Sequence, residues 1–185
     1  MPTKKGAGGK NQEYDVITGR YVGFRQNTAY KEILESEKLK VKASGAVSGA
    51  YNDKNDPKGE KRDAHANIYY ESVRNSDKNV IIDSIAKNTG MPRAEIEMAI
   101  NHIFYEKHYL YNGNTYFEAD YDMAQSIQRL REGVNIQSHD IVLIKHEALE
   151  SKYMKKGLDY STAHNLTNRK HNYQKAVKEF RGKQK

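Results

Sequence analysis

The sequence predicts a mainly α-helical fold: a helical bundle with one or two small β-hairpins. Three observations carry that expectation. Apolar residues recur at helical spacing in successive segments from about residue 60 to residue 180. Capping residues and glycines, rather than strand punctuation, bound those segments. Only YDVITGRYVGF (Tyr14 to Phe24) and YNGNTYF around Asn112-Gly113 have hairpin character.

The elements follow in order. Residues 1–13 are rich in Gly and Lys and are expected to form a disordered basic arm. Residues 14–60 hold the first hairpin, with its turn near Thr18-Gly19, and a helix capped at Asn27-Thr28 that carries Tyr30, Ile33 and Leu34. A flexible loop of Gly, Ser, Asn, Asp and Lys over residues 43–60 follows. Residues 61–182 form the helical domain. Ala64, Ile68, Tyr69 and Val73 share one helix face. The next helix runs from Val80 through Asn88 and closes at Gly90. Pro92 opens another, whose buried stripe is Ile96, Ala99, Ile100, Ile103 and Phe104. Asp120 or Asp122 starts a helix that buries Met123, Ile127 and Leu130 and ends at Gly133. Asp140 caps a helix over 141–156 that ends at Gly157. Ser161 or Thr162 starts a single final helix with Ala163, Leu166, Tyr173, Val177 and Phe180 inside.

Composition excludes several classes. Across 185 residues, 37% are hydrophobic and 30% charged, with no cysteine. Disulfides, thiolate metal sites, iron–sulfur clusters and cysteine nucleophiles are therefore out, and a metal would have to use His, Asp and Glu. The longest apolar runs, Val80-Ile81-Ile82 and Ile141 to Ile144, are too short to cross a bilayer, so no membrane partner is expected. The N-terminal stretch has no apolar core and is not expected to be a secretory signal. The expected location is the cytoplasm, a target cell into which the chain is delivered, or a phage particle.

The formal charge of +7 is uneven. Ten Lys or Arg against Asp159 and Glu179 give residues 151–185 a charge of +8 and leave residues 1–150 at -1. Clustered cations attract a polyanion, most simply nucleic acid, through Lys145, Arg169, Lys170, Lys175, Lys178 and Arg181. The alternative is a solvated helix face that favours solubility.

Histidines and acids gather in three helices. In DIVLIKHEALE, His146 and Glu150 are four apart on one helix face, with Glu147 one step round. An imidazole one turn from a carboxylate can hold a divalent metal ion, or act as a base with its orienting partner. The string is His-Glu-x-x-Glu, whereas a zinc protease of the helical type needs His-Glu-x-x-His. The alternative is a surface His–Glu pair. In NHIFYEKH, His102 and Glu106 are four apart, while His108 lies on another side unless the helix ends near it. In AHNLTNRKH, His164, Asn168 and His171 share a face opposite the apolar stripe. His65 and His139 lie in or beside loops and are given no role. Acids, imidazoles and no cysteine suit phosphodiester hydrolysis, with Arg129 and Lys145 as candidates to neutralise the phosphate.

A second signal competes. Residues 82–103 have the small–Gly–aliphatic spacing of a helix-turn-helix at Ala86, Gly90 and Ile96. Its recognition helix would offer Arg93 but also Glu95 and Glu97, which phosphates repel.

The strings NHIFYEKH, FEADYDMAQSIQRLREG and DIVLIKHEALESKYMKKGLDYSTAHN resemble the C-terminal effector domains of polymorphic toxins and the related domains fused to phage head-morphogenesis proteins. The matching elements are His102 and His108, Arg129-Leu130 with Gly133, Asp140 with His146, Glu147 and Glu150, and the late Ala163-His164. The resemblance covers about residues 80–172. It implies an effector or phage-encoded domain, for which nuclease is the commonest activity, and a cognate immunity protein as a candidate partner. On this reading His102, His108, Arg129, His146, Glu147, Glu150 and His164 form the site. His146 and His164 would serve as base or metal ligand, Glu147 or Glu150 would orient an imidazole or hold metal, and Arg129 would contact phosphate. The alternatives are a non-enzymatic nucleic-acid-binding protein of a phage or mobile element, and a structural phage-head component.

Overall fold

In the computed structural model, which describes residues 3–5, 13–15, 51 and 55–182, caps divide the chain into short helices that pack side by side. The chain falls into two units, residues 1–42 and 43–185. In the first, β1 (Thr3–Lys5) pairs antiparallel with β2 (Glu13–Asp15), with Lys4 opposite Tyr14. This ladder lies where composition predicts an arm without structure. The hairpin expected over 14–24 and the helix after Asn27 fall outside the described residues, apart from residues 14 and 15.

The second unit is mainly α, with one small hairpin. Its helices are α1 (Glu60–Arg74), α2 (Lys78–Thr89), α3 (Arg93–Ile100), α4 (Tyr121–Glu132), α5 (Ser138–Lys155), α6 (Tyr160–Asn168) and α7 (Tyr173–Gly182). A π-helical turn, Asn101–Tyr105, prolongs α3, and the hairpin β3 (His108–Leu110) and β4 (Gly113–Thr115) follows it. None of the described helices is long and apolar enough to cross a membrane.

Local chemistry explains the boundaries. Asp77, Asp120 and Asp159 each accept a backbone N–H of the first turn of α2, α4 and α6. Asp56 accepts the N–H groups of Lys61 and Arg62 and pairs with the Arg62 guanidinium at 3.3 Å. The end of the predicted flexible loop is thereby tied to α1. Tyr51 is buried against Tyr121 in the same way.

α2 and α4 end at Gly90 and Gly133, both at positive φ. Gly133 is the more constrained of the two. A Cβ there would meet the Asn88 amide at 2.8 Å, and that amide donates to the carbonyls of Leu130 and Arg131. Gly133→Ala is therefore expected to cost at least about 1–2 kcal/mol, since strain at φ +72° and the displaced Asn88 add together. Gly90→Ala meets nothing within 4 Å and should cost less. Urea melts of both variants check the order.

Three predicted boundaries move. Asp140 lies in the first turn of α5 instead of capping it, and there its carboxylate accepts the Gln137 N–H at 2.8 Å. The single final helix is two helices, broken at residues 169–172. The Thr167 carbonyl takes the N–H groups of Lys170 and His171, and the Asn172 side chain caps α7 through the Lys175 N–H. α6 also begins earlier than predicted, because Asp159 is its cap.

α5 is the central element. It packs against α3, α4, α6, α7 and the π-turn. Its apolar side chains, Leu143, Ile144 and Ala148, join the main core with Ile96, Ile100, Phe104, Ile127 and Leu130. Around the rest of its circumference His139, Asp140, His146, Glu147, Glu150 and Ser151 are buried too. Buried polar side chains on this scale need partners, and the partners of His146 and Glu150 form the site.

Candidate functional site

Glu150 is the centre of the cluster. It is 2% exposed, and three imidazoles from three separate segments approach its carboxylate. His102 Nε2 lies 3.1 Å from Oε1. His164 Nδ1 lies 2.7 Å from Oε2. His146 Nε2, one turn back on α5, lies 3.4 Å from the same Oε2. Sequence spacing places His146 beside Glu150 on one helix face, with an exposed surface pair as the alternative. In the folded chain both are buried.

Each segment delivers its histidine for a local reason. The π-turn carries an i→i+5 bond from the Glu106 N–H to the Asn101 carbonyl. It is held by Arg74 on the Phe104 carbonyl and by Tyr105 on the Val73 carbonyl. This turn ends the helix and lets the chain double back, so His102 and His108 meet with ring centroids 4.4 Å apart. His108 Nε2 donates to the His102 carbonyl at 2.9 Å, and its ring stacks on Phe117. The break between α6 and α7 frees the His171 carbonyl, which accepts from His146 Nδ1 at 2.6 Å. A carbonyl can only accept, so the His146 proton sits on Nδ1 and a neutral His146 turns its Nε2 lone pair to Glu150. The His171 ring itself takes no part in the cluster.

Charge follows geometry. Burial disfavours a cation at His102, but Glu106 (3.6 Å from Nδ1) and Glu150 outweigh it and lift the imidazole to about 9. The proton of His102, together with Lys155, holds Glu106 down to about 2 against the effect of burial. Burial would raise Glu150, yet the three imidazoles hold it well below the ordinary carboxylate range. Burial and the neighbouring Glu150 charge push Glu147 up to about 7. His146 is raised, since Glu150 and Glu147 outweigh burial, and His108 is lowered chiefly by burial.

His146, Glu147, Glu150 and His164 lie on the wall of a cleft of about 1100 Å³ bounded by the hairpin, the start of α4, and α5, α6 and α7. His102 and His108 line a second, smaller cleft that shares Tyr109, Asp159 and Tyr160 with the first. Tyr109 and Tyr111 of the hairpin are 84% and 94% exposed at the edge of the main cleft. Its rim also carries Asp120, Asp122 and Asp159, with Lys178 and Arg181 from α7. Arg181 pairs with Asp122.

Of the residues predicted from sequence, His102, His108, His146, Glu147, Glu150 and His164 come together. Arg129 does not. It is 2% exposed and holds Asp140 through Nε at 2.8 Å and Nη2 at 2.5 Å, with Ser126 and His139 completing its surroundings. A guanidinium spent on a buried carboxylate is a strut between α4 and α5, and Arg129 is not on the cleft wall. Arg169, Lys170, Lys175, Lys178 and Arg181 are exposed and Lys145 is half-buried. Only Lys178 and Arg181 reach the cleft. His65 and His139 are buried away from the cluster, against Gln125 and Arg129.

Sequence reasoning missed the aromatic wall of Phe117, Tyr160 and Tyr173, and the His171 carbonyl. The first has only generic aromatic signals. The second is a backbone atom, which no residue type announces.

Comparison with protein-family models, with curated proteins and with solved structures gives no match for this chain.

Proposed function

We propose that the chain is a hydrolase of phosphodiester bonds in RNA or DNA, a nuclease of the toxin-effector kind, acting at the His/Glu floor of the main cleft. The observation that carries this reading is the convergence of His102, His146 and His164 on the buried carboxylate of Glu150 beside an open cleft. Building such a cluster buries charge at a cost in stability, and clusters of this kind gather at functional sites. Within this reading His146 and His164 face the scissile group, Glu147 carries the proton to or from it, and His102 and His108 orient Glu150 from behind. Arg129, engaged by Asp140, does not serve as the phosphate contact, and Lys178 at the rim takes that place. The exposed cations of the break after α6 (Arg169, Lys170) and of α7 lead a polyanion to the cleft, and Tyr109 and Tyr111 offer faces on which bases stack.

The second reading, nucleic-acid binding without chemistry, is favoured by the same exposed cations but not by the helix-turn-helix. There Arg93 is already engaged by Asp83, Glu97 and Asn79, and α3 packs on α5.

The purified chain is to be incubated with single-stranded RNA and DNA, with and without EDTA. Cleavage that is lost in His146→Ala supports the nuclease. Salt-sensitive binding without cleavage supports the binding module. Neither outcome leaves a structural component and overturns both. Growth arrest on expression, relieved by His146→Ala or by a co-expressed immunity protein, would support the effector role.

A further inference from the structure

We propose that His146 Nε2, Glu150 Oε2 and His164 Nδ1 are the protein ligands of one divalent transition-metal ion, of the zinc kind, whose remaining coordination positions open into the main cleft. The inference stands on geometry and holds whether or not nucleic acid is the substrate.

The donor set is the first argument. The three ligand atoms lie within 4.8 Å of one another. The His146–Glu150 separation of 3.4 Å matches the roughly 3.3 Å that separates two ligands about 2.0–2.1 Å from a tetrahedral zinc. The His164–Glu150 separation of 2.7 Å must open by a few tenths of an ångström. His164 has room to move, because its side chain is 29% exposed and sits on the short helix α6. Two imidazoles and one carboxylate suit zinc and its neighbours, whereas magnesium and calcium prefer oxygen throughout. Three protein ligands with open positions are the arrangement of a catalytic metal, in contrast to a closed structural one.

The second argument is independent of the ligand atoms. A metal-bound imidazole commonly donates its other N–H to a carbonyl or carboxylate, and a metal-bound carboxylate is itself held by a hydrogen bond. Both features are present. His146 Nδ1 donates to the His171 carbonyl at 2.6 Å, which aims the Nε2 lone pair at the site. His102 Nε2 holds the other Glu150 oxygen at 3.1 Å, leaving Oε2 for the metal. Without an ion or an added proton, the Nε2 lone pair of His146 would face the lone pairs of Oε2 with nothing between them.

The third argument explains the sequence. The pattern His-Glu-x-x-Glu lacks the second imidazole of the helical zinc motif. Here His164 supplies an imidazole from another helix, and Glu150 becomes the carboxylate ligand. Glu147, next to His146 in sequence and on the same cleft wall, would hold or release a proton beside the ion, whose chemistry when bound would be to activate a water.

The experiment uses the full chain, stripped with EDTA, dialysed and titrated with Zn²⁺ by calorimetry, with Mg²⁺ as the comparison and circular dichroism as the check on folding. Expected is tight 1:1 binding of Zn²⁺, little response to Mg²⁺, and a rise in melting temperature on loading. His164→Ala should weaken Zn²⁺ binding by about 100-fold or more. His164→Gln tests the same nitrogen if the alanine variant does not fold. His102→Gln should keep the stoichiometry and weaken affinity by about 10- to 100-fold, as loss of an outer hydrogen bond does. A folded wild-type chain that takes up no Zn²⁺, or equal affinity in wild type and both His164 variants, overturns the assignment. Zinc binding without cleavage of nucleic acid would sink only the nuclease, and EDTA-resistant cleavage without zinc binding only the metal site.

Discussion

Arg129→Ala is expected to destabilise the chain by about 3–5 kcal/mol, the usual consequence of stranding one member of a buried ion pair. For a chain of this size that lowers the melting temperature by roughly 6–20 °C. The argument rests on burial: Arg129 is 2% exposed and Asp140 is fully buried, so water cannot replace the lost partner. Asp140 also holds the Gln137 N–H at the start of α5, so the same substitution disturbs the helix that carries His146, Glu147 and Glu150. Arg129→Lys should recover little, because an ammonium cannot reproduce the Nε and Nη2 contacts. Removing both charges, as Arg129→Met with Asp140→Leu, should recover most of the loss, short of the roughly 1 kcal/mol that the α5 contact contributes. Thermal melts of the three variants beside wild type decide the matter. A melting temperature for Arg129→Ala within about 2 °C of wild type, together with weaker substrate binding, would return the residue to the role that sequence first suggests for it.

The second large effect concerns turnover. If the chain is the nuclease proposed above, Glu147→Gln is expected to lower its kcat by about 10²- to 10⁴-fold, the range over which a positioned acid or base contributes. Stability should change by less than about 1 kcal/mol, because glutamine is a neutral isostere of a carboxyl that burial already drives toward its protonated form. Zinc affinity should also be kept, which separates Glu147 from the ligands. A Glu147→Gln variant with wild-type kcat would remove the residue from the chemistry. Normal stability with normal turnover would leave its burial on the cleft wall without a use.

Much of the fold is legible residue by residue. The cap Asp120 and the glycines at 90 and 133 are local signals, since each acts on atoms within one helical turn. The helical stripes are equally legible, because burial needs only a periodic apolar face. Asp140 misleads because Asp, Asn and Ser serve in the first turn as well as at the cap, and a long-range partner, Arg129, decides which. The break after Asn168 is hidden because Tyr173 and Val177 continue the apolar period across it, while Thr167 and Asn172 close the two helices locally. Within the site, a rule of spacing relates only His146 to Glu150 and His102 to Glu106.

The sequence alone determines that this is a mainly α chain without cysteine chemistry, that its imidazoles and acids cluster in three segments, and that its cations crowd toward one end. Those properties belong to composition and to short-range periodicity, which survive in the unfolded chain. Tertiary structure decides everything that depends on direction: that His102 and His164 meet at Glu150 across 48 and 14 residues of chain, that the His171 carbonyl fixes a tautomer, and that Arg129 faces inward. The physical reason is that a side chain's chemistry is set by which groups share its low-dielectric surroundings, and α5 acquires those neighbours only when four helices close around it.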